Sequence, residues 1–443
     1  MATSSITPSS SGSGIDVQGT VDQLMTVERQ PETQMKNQQS TLNTQASAIG
    51  TINNALSSLQ NSVQVLTDFS SQLNSRAVTS SNTSLVSATA DGTALIANHQ
   101  IVVNNLATTS SFFTNTLASS SATVGQGSFD IQVNGAKTAT ISIDSTNNTL
   151  DGIAAAINKA NAGVTASVIT DTKGARLSIL SSTSGASGEV SIANNTTKLT
   201  FNEAIIGKDA SLKVDGIDLS SASNTVKGAI TGVTLNLQNA DPNSTISLGV
   251  APDASQASAA INSFVTNYNT AIQLVNAQFV YDPTTKFSQP LAGDSTLQVV
   301  QQQLYSAISY STPNSNNGVG SLSSLGITVN DDGTLTVDST KLSSALSTQN
   351  ADVQNFFQTA STGFAQNLNK TLTSMTDPTQ GALQVELTNI NTNVSSLTSQ
   401  IADFETRMTQ RETDLINQYS QINVTLEQMP TILAQINSQL GSL

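Results

Sequence analysis

The 443-residue chain has no cysteine, no tryptophan and a single histidine. Without cysteine there is no disulfide, no thiolate-ligated zinc and no thiol nucleophile. The redox compartment stays open, because such a chain is stable in either. Charge is scarce too: Asp, Glu, Lys and Arg make up 10% of the residues, against about a quarter in ordinary soluble domains. The balance is acidic, 16 basic against 30 acidic side chains, for a net charge of −14. A surface of that sign repels phosphate backbones and anionic lipid, which argues against nucleic acid and membranes as partners. No apolar run approaches the ~18 residues of a membrane span. Met1 to Gly14 holds no Lys or Arg, and Ile6 is its only large aliphatic besides Met1. It therefore lacks the basic and apolar regions of a secretory signal. If the protein leaves the cell, it does so by another route.

What replaces charge is Ser, Thr, Asn and Gln, and the length allows two to four domains with a sizeable core. Both ends carry helical periodicity. Val17, Val21 and Leu24 share a face before Pro31 interrupts the pattern. Leu42, Ile49, Leu56 and Val63 then follow seven apart, with Ile52, Leu59, Leu66 and Leu73 at the second seam position, a coiled-coil period. The C-terminal series is longer: Leu387, Val394, Ile401, Met408, Leu415, Ile422, Met429 and Ile436. Its second position is Ile390, Leu397 and Phe404, then moves one residue along to Tyr419, Leu426, Leu433 and Leu440. Arg407, Arg411 and Glu412 form a polar joint between the two seams. As one helix, 387–440 would span about 80 Å at 1.5 Å per residue, and Pro430 is expected to kink or break it near Leu426.

The middle is rich in strand signals. Phe129, Ile131 and Val133 alternate before Asn134-Gly135, and Ile141 and Ile143 follow it, the pattern of a tight hairpin. Next comes a short helix with Thr149 as its N-cap and Gly163 near its end. The strands GVTASVIT and ARLSIL complete a β-β-α-β-β unit, read as one small sheet covered by one helix. A second β block turns at Asp215-Gly216. After Pro252 a helix places Ala260, Phe264, Tyr268, Ile272 and Val275 on one core-facing stripe. The fold class is thus α+β and multidomain: a terminal helical coiled coil, a helical and mixed domain, and inserted antiparallel β-rich domains.

Few motifs point to chemistry. Gly12-Ser13-Gly14 follows no strand and lacks a P-loop lysine, so it reads as a flexible leader. His99 has no evident nucleophile or carboxylate partner and reads as a surface or turn residue. Asn330-Asp331-Asp332-Gly333 lacks the spacing of a calcium loop and reads as a β-turn. Paired carboxylates for glycoside hydrolysis are left open by spacing alone. No catalytic, cofactor or metal residues are assigned, and no enzyme activity is expected.

Several stretches together resemble the flagellar hook-associated protein 2 family. GSGIDVQGTVDQLMTVERQP is similar to its N-terminal signature and IVVNNLATTSSF to its next block. PLAGDSTLQVV, SLGITVNDDGTLTVDSTKL and RETDLINQYSQINVTLEQMPTILAQINSQL resemble its C-terminal half. The β-β-α-β-β stretch is similar to an insert shared with some flagellins. Pro430 departs from the family pattern, whose last helix is usually free of proline there.

The resemblance implies a cap at the distal end of the flagellum that holds and inserts exported flagellin and prevents its leakage. It implies export through the flagellar type III route, read from a disordered leader at 1–14. Residues 15–42 with 400–443 would form a coiled-coil leg, and 43–76 with 251–399 a helix-rich middle domain. Residues 77–118 with 200–250 would form a β-rich plate carrying an inserted unit at 119–199. Expected partners are further copies of the chain (five in the best-known caps, other small rings being open), flagellin, hook-filament junction proteins, and a cytoplasmic export chaperone on Leu415 to Leu440. The leg and filament interface is assigned to Val17, Val21, Leu24, Leu415, Tyr419, Ile422, Leu426, Met429, Leu433, Ile436 and Leu440. Leu42 to Leu66 and Leu387 to Met408 are assigned to coiled-coil seams, the periodicity favouring helix-on-helix packing without choosing which helices pair. The alternative is a tip adhesin binding host glycans or glycoproteins through residues about 110–250; a hydrolase grafted onto a filament protein is the weakest reading.

Overall fold

The computed structural model describes residues 15–68, 72–282, 287–312 and 318–440. The expected leader at 1–14 lies outside the described residues. In chain order the first elements are α1 (Val17–Glu28), α2 (Gln30–Thr67), β1 (Arg76–Ser80), β2 (Val86–Ala90), β3 (Ala97–Asn105) and β4 (Ser111–Thr114). There follow β5 (Gly127–Val133), β6 (Ala136–Ile143), α3 (Leu150–Ala160), β7 (Val164–Asp171), β8 (Gly174–Ser181), β9 (Val190–Ala193) and β10 (Phe201–Ile205). Then come β11 (Ala210–Val214), β12 (Ile217–Ser221), β13 (Thr225–Ile230), β14 (Val233–Leu237), β15 (Asp241–Pro252) and α4 (Ala254–Ala277). The short pair β16 (Tyr281–Asp282) and β17 (Phe287–Ser288) precedes α5 (Ser295–Ile308), β18 (Ile327–Val329) and β19 (Leu335–Val337). The chain closes with α6 (Ser339–Thr348), α7 (Asn350–Gln358), α8 (Phe364–Thr376) and α9 (Ala382–Leu440). Two compact units result, one of Met1–Thr67, Ile261–Leu342 and Asn355–Leu443, the other of Asp68–Ala260 and Ser343–Gln354.

The second unit holds the main sheets. The larger has eight strands in the order β12-β11-β3-β15-β1-β2-β14-β13, all paired antiparallel. Burial alternates along β11 and β14, because successive side chains point to opposite faces. Val214, Leu212, Leu235 and Ile246 thereby join one core.

The β-β-α-β-β stretch does not form one sheet. Its first hairpin joins β9 in a three-stranded sheet, β6-β5-β9, and its second joins a four-stranded sheet, β10-β4-β8-β7. Leu150, Ile153 and Ile157 of α3 share one core with residues of both sheets. The reason is that β4 and β10 flank the insertion and pair with each other, and β4 also pairs with β8. These strands lie outside 119–199, so the inserted unit is wider than local pattern suggests. Local chemistry set its turns: Asn134 and Gly135 take φ of 52° and 72°, and Asp215 and Gly216 take 50° and 85°. Both pairs thus have the positive φ that a type I′ turn needs. Thr149 caps α3 by accepting from the Gly152 amide at 3.1 Å.

One buried polar group lies on the face of β5 opposite Phe129 and Ile131, since neighbouring strand residues point to opposite faces. Asp130 of β5 is 5% exposed and accepts from Thr140 Oγ1 at 2.6 Å and Asn194 Nδ2 at 2.8 Å. Lys137 Nζ lies 3.0 Å away. These donors, Thr140 first, lower its pKa from 3.8 to about 2. A carboxylate with a depressed folded pKa contributes stability above its unfolded pKa and loses that contribution as pH falls through the folded one. The melting-temperature gap between the wild type and Asp130→Asn is therefore expected to be full above pH 5 and to shrink toward pH 2. A gap that stays constant over that range would show that ionised Asp130 contributes nothing.

In the first unit, α9 runs antiparallel to α2. Gln39 Nε2 donates to Thr398 Oγ1 at 2.7 Å, and Lys36 reaches Glu405 at 2.9 Å. Helices α5 and α8 pack beside them. An aromatic cluster marks the centre: Phe364 stacks on Phe356 and meets Phe264 and Phe357 edge-on. Asn269 of α4 exchanges two hydrogen bonds with the Leu335 backbone, at 2.7 and 2.8 Å, and so fixes the hairpin β18–β19. The turn of that hairpin is Asn330 to Gly333, with Gly333 at φ 79° and Asp332 Oδ1 accepting from the Thr334 amide.

The expected break at Pro430 does not occur, since α9 is helical from Ala382 to Leu440 with Pro430 inside it. A proline removes one amide donor and crowds the preceding turn. Residues 427–432 are exposed, so water can take the Leu426 carbonyl that Pro430 leaves unserved.

Candidate assembly interface

The two chain ends meet in the first unit. Asp16 starts α1, its carboxylate accepting from the Gly19 amide at 3.0 Å, an arrangement that also suits the positive end of a helix. Val21 and Met25 bury against Leu415, with Val17, Met408, Ile416 and Tyr419 packed partly over them. At the start of α1 the Ile15 amide donates to Asn423 Oδ1 at 2.7 Å. Leu24, assigned to this face from its spacing, is half-buried, and Met25 takes the fully covered position. Val21 has apolar neighbours at both +3 and +4, so spacing could not choose between them.

The polar joint is a set of ion pairs across the helices. Arg411 faces Glu28 at 3.3 Å, Arg29 faces Glu412 at 3.7 Å, and Lys36 bridges Glu32 at 2.6 Å and Glu405 at 2.9 Å. Lys36 and then Arg29 hold the buried Glu32 carboxyl below its usual range, and Glu32 and Glu405 raise Lys36. Pairs that reach the surface in this way are screened by solvent and add little stability. Their larger effect is on register, because a shift of one turn would separate the three pairs that cross to α9, Arg411–Glu28, Arg29–Glu412 and Lys36–Glu405. Arg407 instead lies over the Phe404 ring, 5.5 Å from its centre.

The seam residues Ile49, Ile52, Leu56, Leu59, Val63 and Leu66 are fully covered, and Leu42 is half-buried. On α9, Ile390, Leu397 and Ile401 are buried, and Leu387, Val394, Phe404 and Met408 are partly so. This part of the two stripes is satisfied within the chain. Beyond Tyr419 the situation changes. Ile422, Met429, Leu433, Ile436 and Leu440 are 41%, 47%, 53%, 45% and 65% exposed, and Leu426 is half-buried. Spaced alternately four and three apart, they form one stripe about 27 Å long at 1.5 Å per residue. Apolar side chains gain about 1.5–3 kcal/mol each on full burial, so the stripe favours a partner.

No group of three or more His, Cys, Asp or Glu placed to hold a metal occurs among the described residues. None of their helices is long and apolar enough to cross a membrane.

Comparison with known proteins agrees along the chain. Residues 207–431 match the profile of the flagellar hook-associated protein 2 C-terminus and 13–110 that of its N-terminus. Residues 128–183 match the flagellin hook IN motif. The B-type flagellar hook-associated protein 2 of Pseudomonas aeruginosa is 29% identical over 399 residues, covering 83% of each chain. The flagellar hook-associated protein 2 of Escherichia coli K12 is 28% identical, covering 97% of this chain and 96% of that one. The crystal structure of the D1-D2-D3 domains of the flagellar cap protein FliD from Escherichia coli superposes with a TM-score of 0.62 at 29% identity. It covers 78% of this chain and 99% of its own. The adhesin alternative draws no support from these likenesses.

Proposed function

The chain belongs to the flagellar hook-associated protein 2 family, and from that membership we propose how its parts share the work of a filament cap. The protein is a flagellar filament cap, a structural assembly factor that acts with flagellin at the distal end of the flagellum. The paired ends, 15–42 and 400–443, are its leg. Their lower part, α1 on α9, is held by Val21, Met25 and Leu415. Their far part, Ile422 to Leu440, is the surface that neighbours complete. One observation carries this reading: the exposed stripe continues the same helix whose upper seam is already buried.

In the assembled cap, a small homo-oligomeric ring, the stripe packs on neighbouring copies or on flagellin at the growing end. In the cytoplasm an export chaperone covers the same residues by helix-in-groove recognition, before passage through the flagellar type III route. The β sheets of the second unit form the plate. The test is complementation of cells that lack their own cap protein. Expression of the full chain is expected to restore filaments and clear unpolymerised flagellin from the medium. A chain lacking the inserted unit, 109–207, should still cap, because the leg is untouched. Full-length filaments growing equally well without the protein would overturn the capping role.

A further inference from the structure

The eight-stranded sheet has two end strands, β12 and β13, that follow each other in sequence. Neither pairs with a further strand among the described residues, and both contribute walls to one cavity of about 310 Å³. Ile217 and Leu219 come from one side, Ala229 and Ile230 from the other, and His99 of β3 lines the same space. Expected from sequence to be an unpartnered surface histidine, His99 instead places Nδ1 2.7 Å from Asp215 Oδ2. The two are 116 residues apart in the chain, which is why no local pattern shows the pair. Asp215 Oδ1 accepts from the Gln100 amide at 2.8 Å.

The hydrogen bonds decide what the cavity can take. Both carboxylate oxygens of Asp215 are engaged, and His99 and Gln100 hold its pKa below the usual range. The ionised carboxylate can only accept, so Nδ1 carries the imidazole proton. With the ring singly protonated at Nδ1, Nε2 is an acceptor, and it has no partner among the described residues. No Lys or Arg lines the cavity, and seven of its ten lining residues are apolar. An anion finds no counter-charge there, and a cation finds the only carboxylate already satisfied. Leu95 and Ile217, 75% and 65% exposed, extend the apolar surface to the mouth.

The geometry points to a binding site for an uncharged ligand with an apolar body and one N–H or O–H donor, which His99 Nε2 accepts. Such chemistry comes from a free small alcohol or phenol, or from an apolar residue of an extended peptide. The site does not depend on the capping role and lies away from the terminal helices in sequence.

The lone histidine is its own probe. In the carbon-13-labelled full chain at pH 8, the single imidazole Cε1–H signal reports His99. Three probes are titrated: p-cresol, 4-methylanisole, which has the same body with the donor blocked, and N-acetyl-leucine methylamide. A saturable shift is expected with p-cresol or the leucine derivative. 4-Methylanisole should bind about fivefold more weakly or worse, the effect of one lost hydrogen bond. Tighter binding of p-cresol assigns the site to a small molecule, and tighter binding of the leucine derivative to a peptide. Ala229→Phe, which fills the cavity, should abolish the shift while the remaining methyl spectrum is unchanged. Ile217→Asn at the mouth should weaken it and serves if Ala229→Phe does not fold. The inference is overturned if neither donor gives a saturable shift, if 4-methylanisole binds as tightly as p-cresol, or if a folded Ala229→Phe still responds.

Discussion

Cells whose cap protein carries Leu433→Asp together with Ile436→Asp are expected to make no filaments and to shed flagellin into the medium, although the protein itself folds normally. The two side chains are 53% and 45% exposed, so an aspartate at either position stays in water in the isolated chain. Its thermal melt should match the wild type within about 1 °C, as expected for substitutions of exposed residues. In the assembled cap both carboxylates would enter an apolar seam, where an unpaired charge costs several kcal/mol. The combination of unchanged stability and lost assembly separates a docking surface from a core. Normal-length filaments with this variant would contradict the assignment of the stripe. Leu415→Asp provides the contrast, because Leu415 is buried against Val21 and Met25 and its loss should also loosen α1.

The second large effect is on stability alone. Phe364 is completely covered, stacked on Phe356 at 5.4 Å and edge-on to Phe264 and Phe357 at 5.7 and 5.8 Å. Phe364→Ala should cost about 3–5 kcal/mol from lost burial and the cavity left behind. Against a typical total of about 5–15 kcal/mol, that removes a large share of what holds the helical unit together. Its denaturant midpoint should fall sharply, while Asp130, in the other unit, keeps its pH signature. A loss below about 1 kcal/mol would contradict the placement of Phe364 at the centre of a packed core.

The sequence was most legible where structure is decided locally. Asn134-Gly135, Asp215-Gly216 and the Thr149 cap depend on a few neighbouring residues and are present where the pattern puts them. The heptad series likewise marks the faces of α2 and α9, because a helix repeats its surface every few residues. What depends on distant partners was hidden. Nothing in SSFFT or FNEAI marks β4 and β10 as members of the inserted unit, since the pairing of β4 with β8 and of β10 with β4 is decided by closure of the sheet. His99 and Asp215 meet only because β3 lies beside β11. Pro430 was misjudged for a different reason. The local penalty is real, but α9 is exposed around Pro430, so water offsets the lost hydrogen bond and the helix continues to Leu440. For the interface, periodicity identifies the stripe, whereas the point at which its cover ends, between Tyr419 and Ile422, depends on where α1 begins.

The most direct test is a mass measurement on the purified full chain and on the Leu433→Asp, Ile436→Asp variant over a range of concentrations. The account predicts that the wild type associates as concentration rises and that the variant stays a monomer throughout. Equal masses at every concentration would contradict it, since the exposed stripe of α9 would then have no part in bringing copies together.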